Sequence, residues 1–262
     1  MTETPRLLTP TAKLPPLDGQ VILITGAASG LGRCVGAVLG EAGARVVLAD
    51  LALPKAQSWT NELTERGIRA QALELDVGDA RAVERAIALV QERFGRLDAA
   101  INSAAIDITA PISELDAVQW ERIVRTNLNG PFLVSKYAAA AMVAAPLPEG
   151  GSTVRGHIVN ICSTASKRAW PNACAYHATK WGLLGLSHAL HAELRSQGVK
   201  VCALVAGGMR TPFLLERFPD IDPGLLQDPM NVAHAVRYVL TQPDETVIPE
   251  MTVLPMRETS WP

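Results

Sequence analysis

Short runs rich in apolar and β-branched residues alternate with helical patterns along most of this chain, and this alternation limits its fold more than any other feature. The predicted strands cover residues 20–25, 45–50, 68–76, 97–102, 157–162, 199–205 and 246–254. The predicted helices cover residues 30–43, 54–67, 79–94, 116–145, 175–196 and 229–241. Such alternation builds a parallel sheet with both faces covered. With right-handed crossovers, we predict an α/β fold: a doubly wound, Rossmann-like parallel sheet of about seven strands with helices on both faces.

No linker interrupts this pattern, so residues 20–262 are predicted to form a single domain. Residues 1–19 contain Pro5, Pro10, Pro15 and Pro16 and are predicted to form an extended tail. The segment at about 211–228 contains three prolines and is predicted to be a mobile lid over the functional site.

Composition argues against several classes of partner. The formal net charge is −2, which gives no reason to expect nucleic acid or a membrane surface as a partner. No apolar run reaches the roughly 18 residues of a membrane-spanning helix. The four cysteines are scattered, without a Cys-x-x-Cys pair. We therefore predict no metal site, no disulfide framework and a cytoplasmic location.

A glycine-rich turn follows the first predicted strand and opens the first predicted helix. It reads Thr25-Gly26-Ala27-Ala28-Ser29-Gly30-Leu31-Gly32. Glycines permit positive φ and a close approach of the backbone to a pyrophosphate, and the N–H groups of the first helical turn bind anions. The position of this turn between strand and helix therefore predicts a dinucleotide site.

Asp50 ends the second predicted strand, 18 residues after Gly32. An acidic side chain at this place accepts hydrogen bonds from ribose hydroxyls and repels a 2′-phosphate. We therefore predict NAD rather than NADP as the cofactor. The alternative is that Asp50 only caps a turn or a helix.

Tyr176 and Lys180 lie four residues apart, with Ser163 thirteen residues upstream of Tyr176. On a helix, residues four apart share one face. A lysine ammonium beside a phenol favours the ionised phenol and lowers its pKa from the free value of about 10. Such a phenol can exchange a proton near neutral pH. A Tyr-x-x-x-Lys spacing also occurs by chance in many helices, and Ser163 could merely cap a turn.

Taken together, these motifs resemble the short-chain dehydrogenase/reductase family over roughly residues 20–254. Further motifs in the family's order are Asp76-Val77 after the third predicted strand, Asn102-Ser103-Ala104-Ala105 after the fourth, and Asn127. The resemblance implies a family whose cofactor is a nicotinamide dinucleotide and whose members are homodimers or homotetramers.

The resemblance also implies a role for each matching residue. Tyr176 would be the general acid/base, Ser163 would orient the substrate carbonyl, and Asn127 would hold a water beside Lys180. Lys180 would also bind the nicotinamide ribose and lower the pKa of Tyr176. Asp76 would face the adenine through its side chain and Val77 through its backbone N–H, and Asn102 would lie near the adenosine ribose side of the cofactor. The predicted cofactor-binding set is Gly26, Ser29, Gly30, Leu31, Gly32, Asp50, Asp76, Val77, Asn102, Ala104, Tyr176, Lys180, Gly207, Met209 and Thr211. Asn127 could instead only bond the backbone at a helix kink, and Asp76 could be a turn residue.

Two positions depart from the family's pattern. Ala105 stands where the family has glycine, and its methyl group is expected to narrow the space beside the cofactor. Ala206 stands where the family has proline, and its loop is expected to be looser. His177 is predicted to lie at the surface or in an interface, about 100° around the helix from Tyr176.

We therefore predict an NAD(H)-dependent oxidoreductase that interconverts a secondary alcohol and a ketone, with Tyr176 as general acid/base. The alternatives are a catalytically weak or inactive nucleotide-binding or sensing protein, and a dehydratase or epimerase of the same family. Substrate selection is assigned to residues 106–112, 167–173 and 211–228. A homodimer or homotetramer is predicted through the helices at 116–145 and 175–196, because both can pack closely on a second side.

Overall fold

The computed structural model describes residues 14–147 and 151–258, and within them it contains one parallel sheet. The strand order is β3-β2-β1-β4-β5-β6-β7. The strands are β1 (Val21–Thr25), β2 (Arg45–Asp50), β3 (Ala70–Glu74), β4 (Ala99–Asn102), β5 (Gly156–Ser163), β6 (Val199–Ala206) and β7 (Glu250–Val253). The reversal of strand order between β1 and β4 marks a doubly wound sheet. The predicted single-domain α/β fold is thereby confirmed.

Helices connect the strands and cover both faces of the sheet. They are α1 (Gly30–Glu41), α2 (Leu53–Glu65), α3 (Ala80–Phe94), α4 (Ala117–Val124), α5 (Gly130–Ala144), α6 (Cys174–Leu194), α7 (Pro212–Leu215) and α8 (Pro229–Leu240). One buried cluster packs α1 and α8 against one face, and another packs α3 and α5 against the other. Across the described ranges, no helix combines the length and apolar character needed to cross a membrane.

The long helix predicted at 116–145 is divided by a π-helical turn, Arg125–Asn129. In this turn the Gly130 N–H donates to the Arg125 carbonyl, five residues back. Pro131 follows and has no N–H to donate to the Asn127 carbonyl four residues before it. One proline thus interrupts the α-helical ladder beside a predicted catalytic residue, a common place for such turns.

The boundary predicted for the N-terminal tail is wrong at its end. Residues 1–13 of the predicted tail lie outside the described residues. Leu17, in contrast, is 1% exposed and packs in the core under α1. Its N–H donates to the Ala42 carbonyl at 2.7 Å, and Arg237 Nη2 donates to the Leu14 carbonyl at 3.2 Å. The sequence pattern missed this because a single buried leucine among prolines has no periodicity.

Leu17→Ala is expected to lower the free energy of unfolding by about 2–4 kcal/mol, because it leaves a cavity in a packed core. The measurement is urea unfolding followed by circular dichroism. The same substitution at Leu147, which is 51% exposed, should change stability by less than about 0.5 kcal/mol. Equal effects at both positions would show that Leu17 is not part of the folded core.

Candidate active site

A cavity of about 690 Å³ opens at the carboxyl edge of the sheet, around the point where the strand order reverses. This is where open α/β sheets bind ligands. Of the predicted site residues, it is lined by Gly26, Ser29, Gly30, Leu31, Gly32, Asp50, Ala104, Ser163, Tyr176, Lys180, Gly207, Met209 and Thr211. Four predicted residues, Asp76, Val77, Asn102 and Asn127, do not line it.

The glycine turn requires glycine at three positions, because of positive φ angles or because a Cβ would clash with the neighbouring backbone. Gly26 and Gly30 have φ of +66° and +51°. A Cβ on Gly26 would lie 2.7 Å from the Ala104 Cα, and one on Gly32 would lie 2.3 Å from the Gly26 carbonyl oxygen. Ser29, at the N-terminal end of α1, makes no side-chain cap. The first-turn N–H groups of α1 are thus left for an anion, and the turn fits the pyrophosphate of a dinucleotide.

Asp50 ties the end of β2 to this turn. Its Oδ2 accepts from the Ala28 N–H at 3.0 Å, and its Oδ1 accepts from the Ala52 N–H at 2.9 Å. Each oxygen keeps a second lone pair, and the side chain lines the cavity. The carboxylate is therefore held rigidly where ribose hydroxyls of a dinucleotide could donate to it.

Ser163 and Tyr176 meet at the end of β5. Ser163 caps the short 3₁₀ turn Thr164–Ser166, where its Oγ accepts from the Ala165 N–H at 3.2 Å. Tyr176 lies in the first turn of α6. Burial raises the pKa of the Tyr176 phenol to about 12, against the smaller lowering by its hydrogen bond with Ser163. The expected lowering of the Tyr176 pKa is therefore not found: in this fold, desolvation outweighs the effects that favour the phenolate.

Lys180 is 4% exposed, an unusual state for a lysine. Its Nζ donates to the Ile161 carbonyl at 2.7 Å and lies 5.6 Å from the centre of the Tyr176 ring. Burial lowers the pKa of Lys180 to about 8. The helical spacing therefore does bring the ammonium close to Tyr176, but its direct hydrogen bond is to the backbone of β5.

Asn127 is fully buried, and its side-chain amide holds the backbone of Ile106. Its Oδ1 accepts from the Ile106 N–H at 2.8 Å, and its Nδ2 donates to the Ile106 carbonyl at 2.7 Å. Nδ2 also lies 3.3 Å from Thr179 Oγ1 on α6. The side chain therefore joins the loop after β4 to α6. The Asn127 backbone carbonyl, in turn, has no α-helical donor, because Pro131 has no N–H.

The other three residues that miss the cavity have local partners. The Asn102 amide donates to Ser135 Oγ at 3.2 Å and to Asn160 Oδ1 at 2.7 Å, so its side chain points into the sheet rather than toward a ribose. Asp76 accepts from the Gly78 N–H at 2.9 Å and pairs with Arg125. Val77 packs against Gly130. The orientation of the Asp76 side chain does not support its predicted contact with the adenine, and the contact predicted for the Val77 backbone N–H stays a prediction.

The loop after β6 is braced, contrary to the expected looseness at Ala206. The Gly207 N–H donates to the Val253 carbonyl at 2.9 Å, and the Gly208 carbonyl accepts from the Gln227 N–H at 3.0 Å. Gly208 also donates to Glu258 Oε2 at 3.1 Å. Contacts from β7, the 211–228 segment and the C-terminal residues thus replace the stiffness that a proline would provide.

Some residues that line the cavity belong to no motif in the sequence. Arg257 and Glu258 line the cavity, although nothing in their local sequence marks them. Asp107 and Arg217 also line it and form an ion pair between two segments assigned to substrate selection. The sequence shows a charged residue in each of those two segments, but not that the two residues pair, because the pairing depends on the tertiary fold.

His177 is 7% exposed, so its predicted surface position is wrong. Its Nδ1 lies 3.1 Å from the Ala165 carbonyl, and its Nε2 accepts from the Trp170 N–H at 3.1 Å. The Trp170 ring packs edge-on against the imidazole. His177 therefore supports the Trp170 wall of the cavity from behind, and the helical angle alone did not show that a loop covers this face of α6.

Comparison with known proteins gives matches over most of the chain. A family model described as short chain dehydrogenase matches residues 20–222. An uncharacterized oxidoreductase of Staphylococcus aureus is 31% identical over 240 residues, which cover 92% of this chain and 99% of that protein. A metagenomic short-chain oxidoreductase solved in complex with NADP is 30% identical, with a TM-score of 0.79 and coverage of 92% and 98%. A gluconate 5-dehydrogenase from Burkholderia cenocepacia, solved with NADP and tartrate, is 26% identical, with a TM-score of 0.83 and coverage of 93% and 97%.

Lys180→Met is expected to raise the free energy of unfolding by about 1–3 kcal/mol near neutral pH, because it removes a buried charge. The extra free energy of unfolding of Lys180→Met relative to the wild type should decrease between pH 8 and pH 10.5, which are the folded and unfolded pKa values of Lys180. In that window the unfolded lysine binds more protons than the folded one, so wild-type stability gains with rising pH.

The measurement is the difference between wild-type and variant urea unfolding curves at several pH values, in which the titrations of all other groups cancel. Lys136→Met, at an exposed position, is the matched control and should change stability by less than about 0.5 kcal/mol. A pH-independent difference for Lys180→Met would contradict the assigned burial of its charge.

Proposed function

This chain belongs to the short-chain dehydrogenase/reductase family of oxidoreductases, and from that premise we propose that it interconverts a secondary alcohol and a ketone with NAD(H). The observation that carries the proposal is the convergence of Ser163, Tyr176 and Lys180 on the cavity that the glycine turn and Asp50 also line. Ser163, Tyr176 and Lys180 come from one stretch of the chain, whereas the glycine turn and Asp50 lie more than 100 residues before it. Their meeting in one cavity is improbable for residues with only local structural roles.

A bound nicotinamide supplies the hydride in this chemistry, and the chain supplies orientation and a proton. Tyr176 keeps its proton at neutral pH because burial raises its pKa to about 12. It can therefore donate to a carbonyl oxygen as negative charge develops there. Ser163 presents a second hydroxyl to the same oxygen. Oxidation of an alcohol uses the ionised phenol and so gains from higher pH.

Lys180 is proposed to serve both cofactor and proton transfer. With its pKa lowered to about 8 by burial, it exchanges a proton within the physiological range more readily than a free lysine. Its ammonium would hold the nicotinamide ribose and stabilise the Tyr176 phenolate. The Asn127 backbone carbonyl would anchor the water that links Lys180 to solvent.

The preference for NAD(H) is supported by Asp50. Two backbone N–H groups fix its carboxylate at the cavity, where it would accept from ribose hydroxyls and repel a 2′-phosphate. The two solved structures compared above are NADP complexes, so family membership does not decide the cofactor, and the proposal of NAD(H) rests on Asp50.

We further propose that the protein is a homo-oligomer in the cytoplasm. Trp120, Phe132 and Trp181 are exposed on α4, α5 and α6 at 39%, 45% and 52%. Such large exposed apolar side chains on neighbouring helices suit an interface between copies of this chain, so we place the homodimer or homotetramer contact there. The four free thiols suit a reducing cytoplasm.

Tyr176→Phe is expected to lower kcat by about 10²–10⁴-fold, because it removes the proton donor and keeps the ring. The assay follows NADH absorbance with a panel of secondary alcohols and sugar alcohols. NADH binding, measured by fluorescence, should stay within about twofold, since most of the cofactor site is unchanged. Tyr238→Phe, at an exposed tyrosine on α8, is the matched control. A Tyr176→Phe protein with unchanged turnover would remove the phenol from the mechanism.

Asp50→Ala is expected to shift the NADH/NADPH affinity ratio toward NADPH by at least about tenfold, equivalent to about 1.4 kcal/mol. Asp50→Asn keeps an acceptor oxygen but loses the charge, and it should shift the ratio in the same direction. Fluorescence titration of both cofactors gives the ratio directly. Glu65→Ala, on exposed α2, should leave the ratio unchanged. If both Asp50 variants keep the wild-type ratio, Asp50 does not select the cofactor.

A further inference from the structure

Asp107 and Arg217 form an ion pair on the wall of the cavity, in the two segments 106–112 and 211–228 that are assigned to substrate selection. Asp107 lies in the loop after β4, and Arg217 lies just after α7. The guanidinium Nη1 donates to Asp107 Oδ2, with side chains 19% and 5% exposed for Arg217 and Asp107. A pair buried this deeply loses much hydration. Its place on the wall of a ligand cavity therefore points to a role beyond holding two loops together.

The Asp107 carboxylate is incompletely satisfied. Its Oδ1 is enclosed and has no donor in hydrogen-bond geometry among the described residues, although the Ile108 backbone N–H lies close enough to lower the pKa of the carboxyl. Burial raises the pKa of Asp107 more than the Arg217 charge and the Ile108 backbone N–H lower it. Nearly all buried polar atoms in folded proteins have partners, so an exception beside a cavity calls for an explanation, and a ligand that supplies a donor is one.

Arg217 is fixed close to Tyr176. Its Nε donates to the Phe213 carbonyl at 2.7 Å, and its guanidinium carbon lies 4.0 Å from the centre of the Phe213 ring. The Phe213 ring is in turn 5.8 Å from the Tyr176 ring. The Arg217 charge lowers the pKa of Tyr176 and the Asp107 charge raises it. Phe213 therefore contacts both the guanidinium of the ion pair and the phenol that would contact the reacting oxygen.

We propose that Asp107 and Arg217 form a subsite for a second hydroxyl group, so that the preferred substrates are vicinal diols and the corresponding α-hydroxy ketones. A hydroxyl is neutral and can donate to the carboxylate and accept from the guanidinium at the same time. A substrate carboxylate would face Asp107, and an ammonium would face Arg217, so either charge meets repulsion. This inference rests on the proposed function, because it takes Tyr176 to mark the reacting carbon.

Access to this subsite depends on the 211–228 segment. Because the Asp107 side chain is only 5% exposed and pairs with Arg217, a ligand hydroxyl reaches the carboxylate only when the part of the segment that carries Arg217 shifts. Binding of the second hydroxyl would then re-form both charge contacts through the substrate. The apolar side chains that also line the cavity, Trp170, Phe213, Phe218 and Leu225, would pack on the carbon skeleton.

The test compares cyclohexanol with its vicinal diol, and cyclohexanone with its α-hydroxy derivative, using NAD⁺ and NADH respectively. The hydroxylated member of each pair is expected to have a kcat/KM at least about tenfold higher, because it fills a site built to bond a hydroxyl. Asp107→Asn and Arg217→Met should each reduce this ratio to within about threefold of unity, whereas loss of a merely structural contact would lower both substrates alike. Asp220→Asn, an exposed aspartate of the same segment, is the matched control and should keep the wild-type ratio.

A second readout separates this inference from the proposed function. The rise in Tm caused by each compound is measured on NADH-loaded protein, where no turnover is needed. Turnover of both members with equal kcat/KM would overturn the hydroxyl subsite and leave the oxidoreductase standing. A Tm rise confined to the hydroxylated compounds, lost in both variants and unaccompanied by turnover, would support the subsite and overturn the proposed reaction. No Tm rise and no turnover with any compound would overturn both.

Discussion

The parallel pairing of the strands is the constraint on which the site depends. β1, β4 and β5 are in register at Thr25, Asn102 and Asn160, and β5 ends beside β6 with Ser163 opposite Ala206. Because every strand runs the same way, every loop that follows a strand starts at the same edge. The glycine turn, the loop after β4, the Ser163 turn and the loop after β6 are therefore brought around one cavity, whatever the lengths of the crossovers between them.

Beneath this edge of the sheet, buried polar side chains form a chain of hydrogen bonds. Asn102 donates to Asn160, and Asn160 donates to Ser187 Oγ, which donates to the Leu183 carbonyl. This chain of hydrogen bonds runs from β4 through β5 into α6. It fixes α6 against the sheet, and with it the positions of Tyr176 and Lys180. A network of this kind is specific because each member would be left unsatisfied in any shifted packing.

Burial shifts the pKa values of Tyr176 and Lys180 so that both side chains favour their neutral forms. Burial raises the pKa of the Tyr176 phenol and lowers that of the Lys180 ammonium. Desolvation disfavours whichever form carries charge, so one enclosed environment moves the two pKa values in opposite directions, to about 12 for Tyr176 and about 8 for Lys180. The same burial that makes Lys180 unfavourable for stability brings its proton exchange nearer to neutral pH, as expected where stability is given up for function.

Local patterns in the sequence determined the order of strands and helices, the glycine turn, and the candidate residues Ser163, Tyr176 and Lys180. These depend on hydrophobic periodicity, on glycine's access to positive φ and on spacing along one helix, all of which are properties of short segments. Tertiary structure alone decided which way Asn102 points, that the pKa of Tyr176 is raised rather than lowered, and that His177 is covered. It also decided that Glu258 braces the loop at Gly208 and that Asp107 meets Arg217. Each of these depends on desolvation or on a contact between distant segments, and a charge or an amide carries no local mark of the partner that the fold will bring to it.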